Sequence, residues 1–161
     1  MKRVEGTADV RLIECVSPVK NKWRIRWDII PNEDGSASYM EMEFSHKPSE
    51  DEIQSTIANW YNKQTDLAIL SGFVWNDMMV WLSQENQFNY KAAYDMAVQT
   101  EGKSLPVTFK FGTDDEPCYY EFNTMLDFTD FYSKALAYIQ HTLAEGWSKK
   151  ATFNAMKYNI E

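Results

Sequence analysis

Apolar and polar residues alternate with period two in several short runs along this chain, and each pair of runs is followed by a longer stretch with helical periodicity. Residues 8–16, ADVRLIECV, are rich in Val, Ile and Leu and read as a strand, while residues 1–7 carry no pattern and are expected to fray. In residues 21–30, Trp23, Ile25, Trp27 and Ile29 share one face and Arg24, Arg26 and Asp28 the other. Pro31 and the cluster Asn32-Glu33-Asp34-Gly35 make a turn. In residues 37–44 the alternation resumes, with Met40, Met42 and Phe44 opposite Tyr39, Glu41 and Glu43. Arginines of one strand then face glutamates of the next, in pairs expected to be exposed and individually weak.

Ser49-Glu50-Asp51-Glu52 has the composition of a helix start. Ser49 is the cap, Glu52 stands three residues on, and acids fill the first turn. The stripe Ile53, Ile57, Trp60, Tyr61 carries the helix to about Leu70, and Gly72 is the expected stop. Phe73-Val74-Trp75 and Met79-Val80-Trp81 flank Asn76-Asp77-Met78 as a tight hairpin. Ser83 caps a second helix whose inner face is expected to be Phe88, Ala92, Ala93, Met96 and Ala97, ended by Glu101-Gly102. Residues 105–111 form a strand with Val107, Phe109 and Phe111 on one side. An acidic turn, Gly112 to Pro117, leads to the returning strand Cys118–Phe122. Thr124 caps the last helix, with the stripe Phe128, Phe131, Tyr132, Ala135, Tyr138, Ile139, Thr142 and Leu143 and a stop at Gly146. The tail, with Trp147, Phe153, Tyr158 and Ile160, is apolar enough to pack back on the body.

A hairpin followed by a helix therefore occurs three times: 21–44 with 49–70, 73–82 with 83–100, and 105–122 with 124–145. The class is α+β, three ββα units with the helices packed on one face of an antiparallel sheet. The units share little sequence, so this is recurring architecture and not a sequence repeat. Residues 1–161 read as a single compact chain, with its weakest seam near Ser71-Gly72, which divides a hairpin–helix module from the rest.

Composition narrows the functional classes. A chain of 161 residues buries about 70% of its unfolded surface and needs no metal or disulfide staple. The formal net charge is −8, and the basic clusters stop at pairs such as Lys2-Arg3 and Lys149-Lys150, which disfavours nucleic acid as a partner. No run is long and apolar enough for a membrane span or a secretory signal, so synthesis in the cytoplasm is expected, which also suits a virion component. Cys15 and Cys118 are expected as buried free thiols.

Candidate chemistry is sparse. Gly102-Lys103-Ser104 matches the end of a phosphate loop, but the earlier glycine position is Ala97 and the strand–helix order is reversed. His46 and His141 stand alone, without partners at metal-ligand spacing. Asp114, Asp115 and Glu116 lack the spacing of a calcium loop. No catalytic residue, metal or cofactor is expected. The aromatics are the one ambiguous feature: Trp75 and Trp81 flank one turn, and Tyr119 and Tyr120 sit in another hairpin. Exposed, such rings stack on sugars or anchor a protein partner; packed, they are core.

From Ser71 to about Tyr158 the chain resembles an uncharacterised domain family of phages and prophages, often encoded with tail-fibre proteins, in the manner of versions from gut Bacteroidetes. The residues that carry the resemblance are Ser71-Gly72-Phe73 with Trp75, Trp81 to Gln87, Tyr90 to Tyr94, Leu105 to Gly112, Phe131-Tyr132 and Gly146-Trp147. The resemblance implies a non-enzymatic structural or accessory protein, tail-associated or active in assembly, working by contact with a protein partner or by self-association. The family has no assigned catalytic residues, and the first 70 residues fall outside the resemblance. The alternative is a module for carbohydrate or another surface ligand built on Trp75, Trp81, Tyr119 and Tyr120. A third reading, an enzyme assembled around His141, requires a pocket at that histidine.

Overall fold

The computed structural model describes residues 1–158. Eight strands and three long helices follow in the order β1 (Lys2–Thr7), β2 (Ile13–Ser17), β3 (Lys22–Pro31), β4 (Ser36–Phe44), α1 (Glu50–Ser71), β5 (Phe73–Trp75), β6 (Met78–Val80), α2 (Gln84–Gln99), β7 (Val107–Gly112), β8 (Pro117–Phe122) and α3 (Met125–Thr152), with a closing 3₁₀ turn at Ala155–Tyr158. The protein is α+β, and β3–β4, β5–β6 and β7–β8 are each followed by a helix. The strands form three antiparallel sheets instead of one: a four-stranded sheet ordered β1-β4-β3-β2, and the two-stranded sheets β5-β6 and β7-β8.

The chain divides into two compact units, residues 1–60 with 152–158, and residues 61–151. The dividing point is inside α1, between Trp60 and Tyr61, and not at Ser71-Gly72. Helical hydrogen bonding runs through it without a break to Ser71.

In the first unit, residues 2–7 do not fray. They pair with β4 from Lys2↔Glu41 to Thr7↔Ser36. An edge strand with one partner and mostly exposed side chains needs no apolar alternation. One face of the sheet carries Ile25 and Trp27, with Trp60 of α1 edge-on to Trp27 at 6.0 Å. Ile53 and Ile57, from the same helix stripe, are buried. The helix start is a capping box: the Glu52 amide donates to Ser49 Oγ at 3.3 Å, and the Ser49 amide to Glu52 Oε2 at 2.8 Å. Strand β3 is interrupted between Trp27 and Ile30, where Asp28 takes φ 52. That bulge breaks the alternation expected to continue to Ile29.

In the second unit, the buried cluster is largely aromatic: Phe73, Trp75, Tyr90, Phe111, Phe122, Phe128 and Phe131, with Val80, Leu82, Ala97 and Ala135. Phe122, fully buried, has Trp75, Tyr120, Phe128 and Phe131 within 5.4 Å, centroid to centroid. The inner face of α2 differs from the expected stripe. Tyr90, Ala93, Tyr94 and Ala97 turn inward, while Phe88 is 70% exposed and Ala92 and Met96 are also exposed. Tyr90, Ala93, Tyr94 and Ala97 follow the spacing i, i+3, i+4, i+7, whereas Phe88, Ala92 and Met96 follow i, i+4, i+8 on a neighbouring face. The set with two tyrosines offers more area to the core and keeps the hydroxyl of Tyr94 near Thr129 Oγ1, at 3.2 Å.

Helix α3 passes through Gly146 and ends at Thr152. Gly146 is buried where α3 meets α1, and a Cβ there would collide with the Thr65 side chain. The glycine permits close helix approach instead of terminating the helix. Lys150 Nζ then donates to Asn62 Oδ1 at 2.6 Å across the same pair of helices. Of the tail residues, Tyr158 is buried and its hydroxyl donates to the Arg26 carbonyl at 2.6 Å, whereas Trp147 is exposed. Ile160 lies outside the described residues.

Candidate functional site

The four aromatics marked out in the sequence do not form one platform. The turn of the β5–β6 hairpin consists of Asn76 and Asp77 alone, at φ 48 and 61, and Trp75 pairs with Met78. Strand β6 therefore starts one residue earlier than expected and ends at Val80, which leaves Trp81 beyond the hairpin and not across from Trp75. Trp75 is 2% exposed, and its Nε1 donates to Asp130 Oδ2 at 3.0 Å, so it belongs to the core. Tyr120 faces the same core, half-buried, and its hydroxyl donates to Asp127 Oδ2 at 2.7 Å, a bond that raises its pKa. Trp81 and Tyr119 are 45% and 69% exposed. The strand register explains Tyr119: it pairs with Lys110 on the outer face of β7–β8, whereas Phe109↔Tyr120 and Phe111↔Cys118 occupy the inner one.

Trp81 borders a cleft of about 290 Å³ lined also by Met79, Asn86, Lys110, Gly112, Thr113 and Asp114. Three elements build it. Strand β6 and its exit supply Met79 and Trp81, the first turn of α2 supplies Asn86, and the end of β7 supplies Lys110 and the turn after it. Ser83 caps α2 by accepting from the Asn86 amide at 3.2 Å, and the Asn86 side-chain amide donates to the Trp81 carbonyl at 2.8 Å. Lys110 Nζ and Asp114 Oδ1 are paired at 3.1 Å.

A second concavity runs between the helices of the same unit. One part, about 450 Å³, lies among Leu67, Leu70, Leu82, Ile139 and Leu143; the other, about 260 Å³, among Phe88, Tyr132 and Leu136. Leu82, Gln87 and Ile139 line both, so the two parts adjoin as one groove between α1, α2 and α3, lined by apolar side chains together with Lys63, Asp66, Ser83, Gln84 and Lys91. Gln87 Nε2 donates to the Leu82 carbonyl at 2.7 Å, which holds the amide at the junction. Phe88 projects at its rim. Helical periodicity alone does not reveal this groove, because it requires knowing which of two neighbouring stripes on α2 turns inward.

The polar face of the four-stranded sheet in the first unit is a charge ladder. Arg24 pairs with Glu43 and Arg26 with Glu41 in register, as the alternation predicts, but the ladder is not exposed throughout: Arg26 and Glu41 are each 6% exposed. Arg26 Nη2 donates to Glu14 Oε1 at 2.6 Å and Nη1 to the Arg11 carbonyl at 2.9 Å. Arg24 Nη2 donates to Glu43 Oε1 at 2.6 Å. Both Nε atoms lie 3.4–3.5 Å from Glu41 Oε2, without hydrogen-bond geometry. The hydrogen bond from Arg26 holds the Glu14 carboxyl below the usual range, and the bond from Arg24 does the same for Glu43. Three carboxylates face two arginines, and Lys2 and Lys22 stand 3.5 Å from Glu41 and 3.7 Å from Glu43, so the ladder interleaves opposite charges across the strands instead of presenting one sign to a ligand.

His46 Nε2 is 2.8 Å from Glu52 Oε1 beside the α1 cap, and His141 is exposed on α3, 3.4 Å from Glu145; neither lines a cleft described above. Among the described residues no group of three His, Cys, Asp or Glu side chains is arranged to hold a metal ion, and no helix is long and apolar enough to cross a membrane. Both cysteines are free but not buried: Cys15 is exposed on β2, and Cys118 is half-buried with its Sγ 3.4 Å from Met78 Sδ. Compared with protein-family models, curated proteins and solved structures, the chain matches none.

Proposed function

We propose that this protein is a non-enzymatic structural or accessory component of a phage or prophage, tail-associated or active in assembly, made in the cytoplasm and working through contacts between copies of itself. The phage context is supported by the resemblance over residues 71–158. The contact reading is supported by one observation: Phe88, 70% exposed, stands at the rim of an open groove that no described residue fills. A projecting ring beside a hole is a self-complementary pair of features. Two copies related by a twofold axis each place Phe88 in the groove of the other, and the interface closes without leaving a free edge. A large apolar side chain at the centre of such a contact is where binding energy concentrates.

Sedimentation equilibrium over roughly 10–300 µM tests this, a range that covers a weak dimer. The expected result is a dimer that becomes a monomer in Phe88→Asp with unchanged circular dichroism. A wild-type monomer at every concentration overturns the self-association. The phage context has a separate test in the neighbouring genes: tail genes are expected, and an unrelated metabolic cluster would count against it.

A further inference from the structure

The cleft beside Trp81 shares no lining residue with the helix groove, so its role is a separate question. It combines three features. First, the indole is an apolar plate with nearly half its surface open. The Trp81 backbone is fixed by the Asn86 side-chain amide on its carbonyl, and the next residue by the Leu82 amide, which donates to the Leu70 carbonyl at 3.0 Å. Second, hydrogen-bonding groups of both senses border the plate. Asn86 commits an N–H to Trp81 and keeps Oδ1 as an acceptor, Lys110 brings an ammonium, Asp114 a carboxylate and Thr113 a hydroxyl. Third, the Lys110–Asp114 pair is electrically balanced.

These features select a chemical class. An apolar side chain in the cleft would strip water from Lys110, Asp114 and Asn86 and return no hydrogen bonds. A phosphate or carboxylate would have to compete with Asp114 for the lysine. A neutral ligand with one flat C–H face and a rim of hydroxyls satisfies both the plate and the rim. We infer that the Trp81 cleft is a saccharide subsite for one uncharged hexopyranose ring. The ring lies on the indole through its C–H face, and its hydroxyls bond Asn86, Lys110 and Asp114. At about 290 Å³ the cleft is small for a ligand site and accommodates a single ring, so affinity for one sugar is low and repeated copies of the subsite would raise it.

The test is a nitrogen–proton correlation titration following the Trp81 Nε1–H and the Asn86 side-chain amide. The probes are methyl β-glucopyranoside, methyl β-galactopyranoside and N-acetylglucosamine, with inorganic phosphate as the charged control. Saturable shifts at Trp81 and Asn86 with at least one sugar, at a Kd on the order of 1 mM, are expected. Trp81→Ala should weaken binding by more than about tenfold. Asp114→Asn, at a side chain that is fully exposed and among the described residues bonds Lys110 alone, should weaken it severalfold with the fold intact. Phe88→Asp should leave the titration unchanged, which separates this site from the groove. The inference fails if none of the three sugars shifts Trp81, if the shifts persist in Trp81→Ala, or if phosphate alone produces them.

Discussion

The two units follow the same hairpin-then-helix plan and are held together by different physics. In the first, one sheet face is apolar and the other is a ladder of Glu14, Arg24, Arg26, Glu41 and Glu43 in which two members are almost fully buried. In the second, no comparable ladder exists among the described residues, and the centre is a set of aromatic rings in edge-on and tilted contact. Ring packing depends on shape and is indifferent to pH and salt across the physiological range. The ladder depends on every carboxylate staying charged. The same architecture therefore carries two different sensitivities, and each can be tested without disturbing the other.

The largest effect is expected from Phe122→Ala, which empties the centre of the ring cluster. It should cost about 4 kcal/mol, in the range for a buried phenylalanine, read as lost stability in denaturant and lost near-ultraviolet circular dichroism. A cost near 1 kcal/mol would mean that the rings repack, and the contrast with the first unit would weaken. Next, Glu41→Ala removes one of the two carboxylates that Arg24 and Arg26 share, with Glu14 remaining, and should cost about 2 kcal/mol. Amide exchange should localise the loss to β3 and β4. Exchange that speeds up equally in β7 and β8 would break the distinction between the units.

The smallest effect is the response to pH. Glu14, Asp34, Glu43 and Glu52 in the first unit have carboxyls held below their ordinary values by hydrogen bonds from Arg26, Ser36, Arg24 and Ser49 respectively. In the second unit Asp130 is shifted the same way, by Lys134 and Trp75. A depressed folded pKa stabilises above the unfolded value, near 4, and that stability is lost as pH falls through the folded value. Acid should therefore loosen the first unit before the second. Alkali should do the reverse. Burial pushes Tyr90 in the second unit up to about 12, so its contribution is full below the unfolded tyrosine pKa near 10 and is lost as pH rises through 12. Tryptophan and tyrosine signals followed from both directions would check the order.

Much of this architecture was legible in the sequence because local chemistry decided it. The capping box at Ser49 and Glu52, the Asn76-Asp77 turn and the inner face of β7–β8 each depend on neighbours a few residues away. What escaped depended on partners far along the chain. The edge strand Lys2–Thr7 has no pattern of its own and exists because β4 offers hydrogen bonds. Gly146 has the composition of a helix stop, yet Thr65 makes it a packing residue. Arg26 and Glu41 sit at positions that alternation marks as solvent-facing, and their burial depends on groups such as Tyr39, whose ring lies 5.6 Å from the Arg26 guanidinium. At the candidate site the structure separates residues that the sequence grouped together. A one-residue difference in where β6 begins separates Trp81 from Trp75 and sends one to the surface and the other to the core.

The hydrogen bond from the Tyr158 hydroxyl to the Arg26 carbonyl spans 132 residues, and both ends belong to the first unit. The second unit is contiguous, residues 61–151, and lies wholly between them. On a translating ribosome, where the chain emerges at about 5–20 residues per second, the aromatic cluster has all its strands and helices before Tyr158 has been made. The hairpins of the first unit are made earlier, but their contact with Tyr158 requires the last described residue. The contact that ties Tyr158 to Arg26 therefore becomes available only after every strand and helix of the second unit has been made.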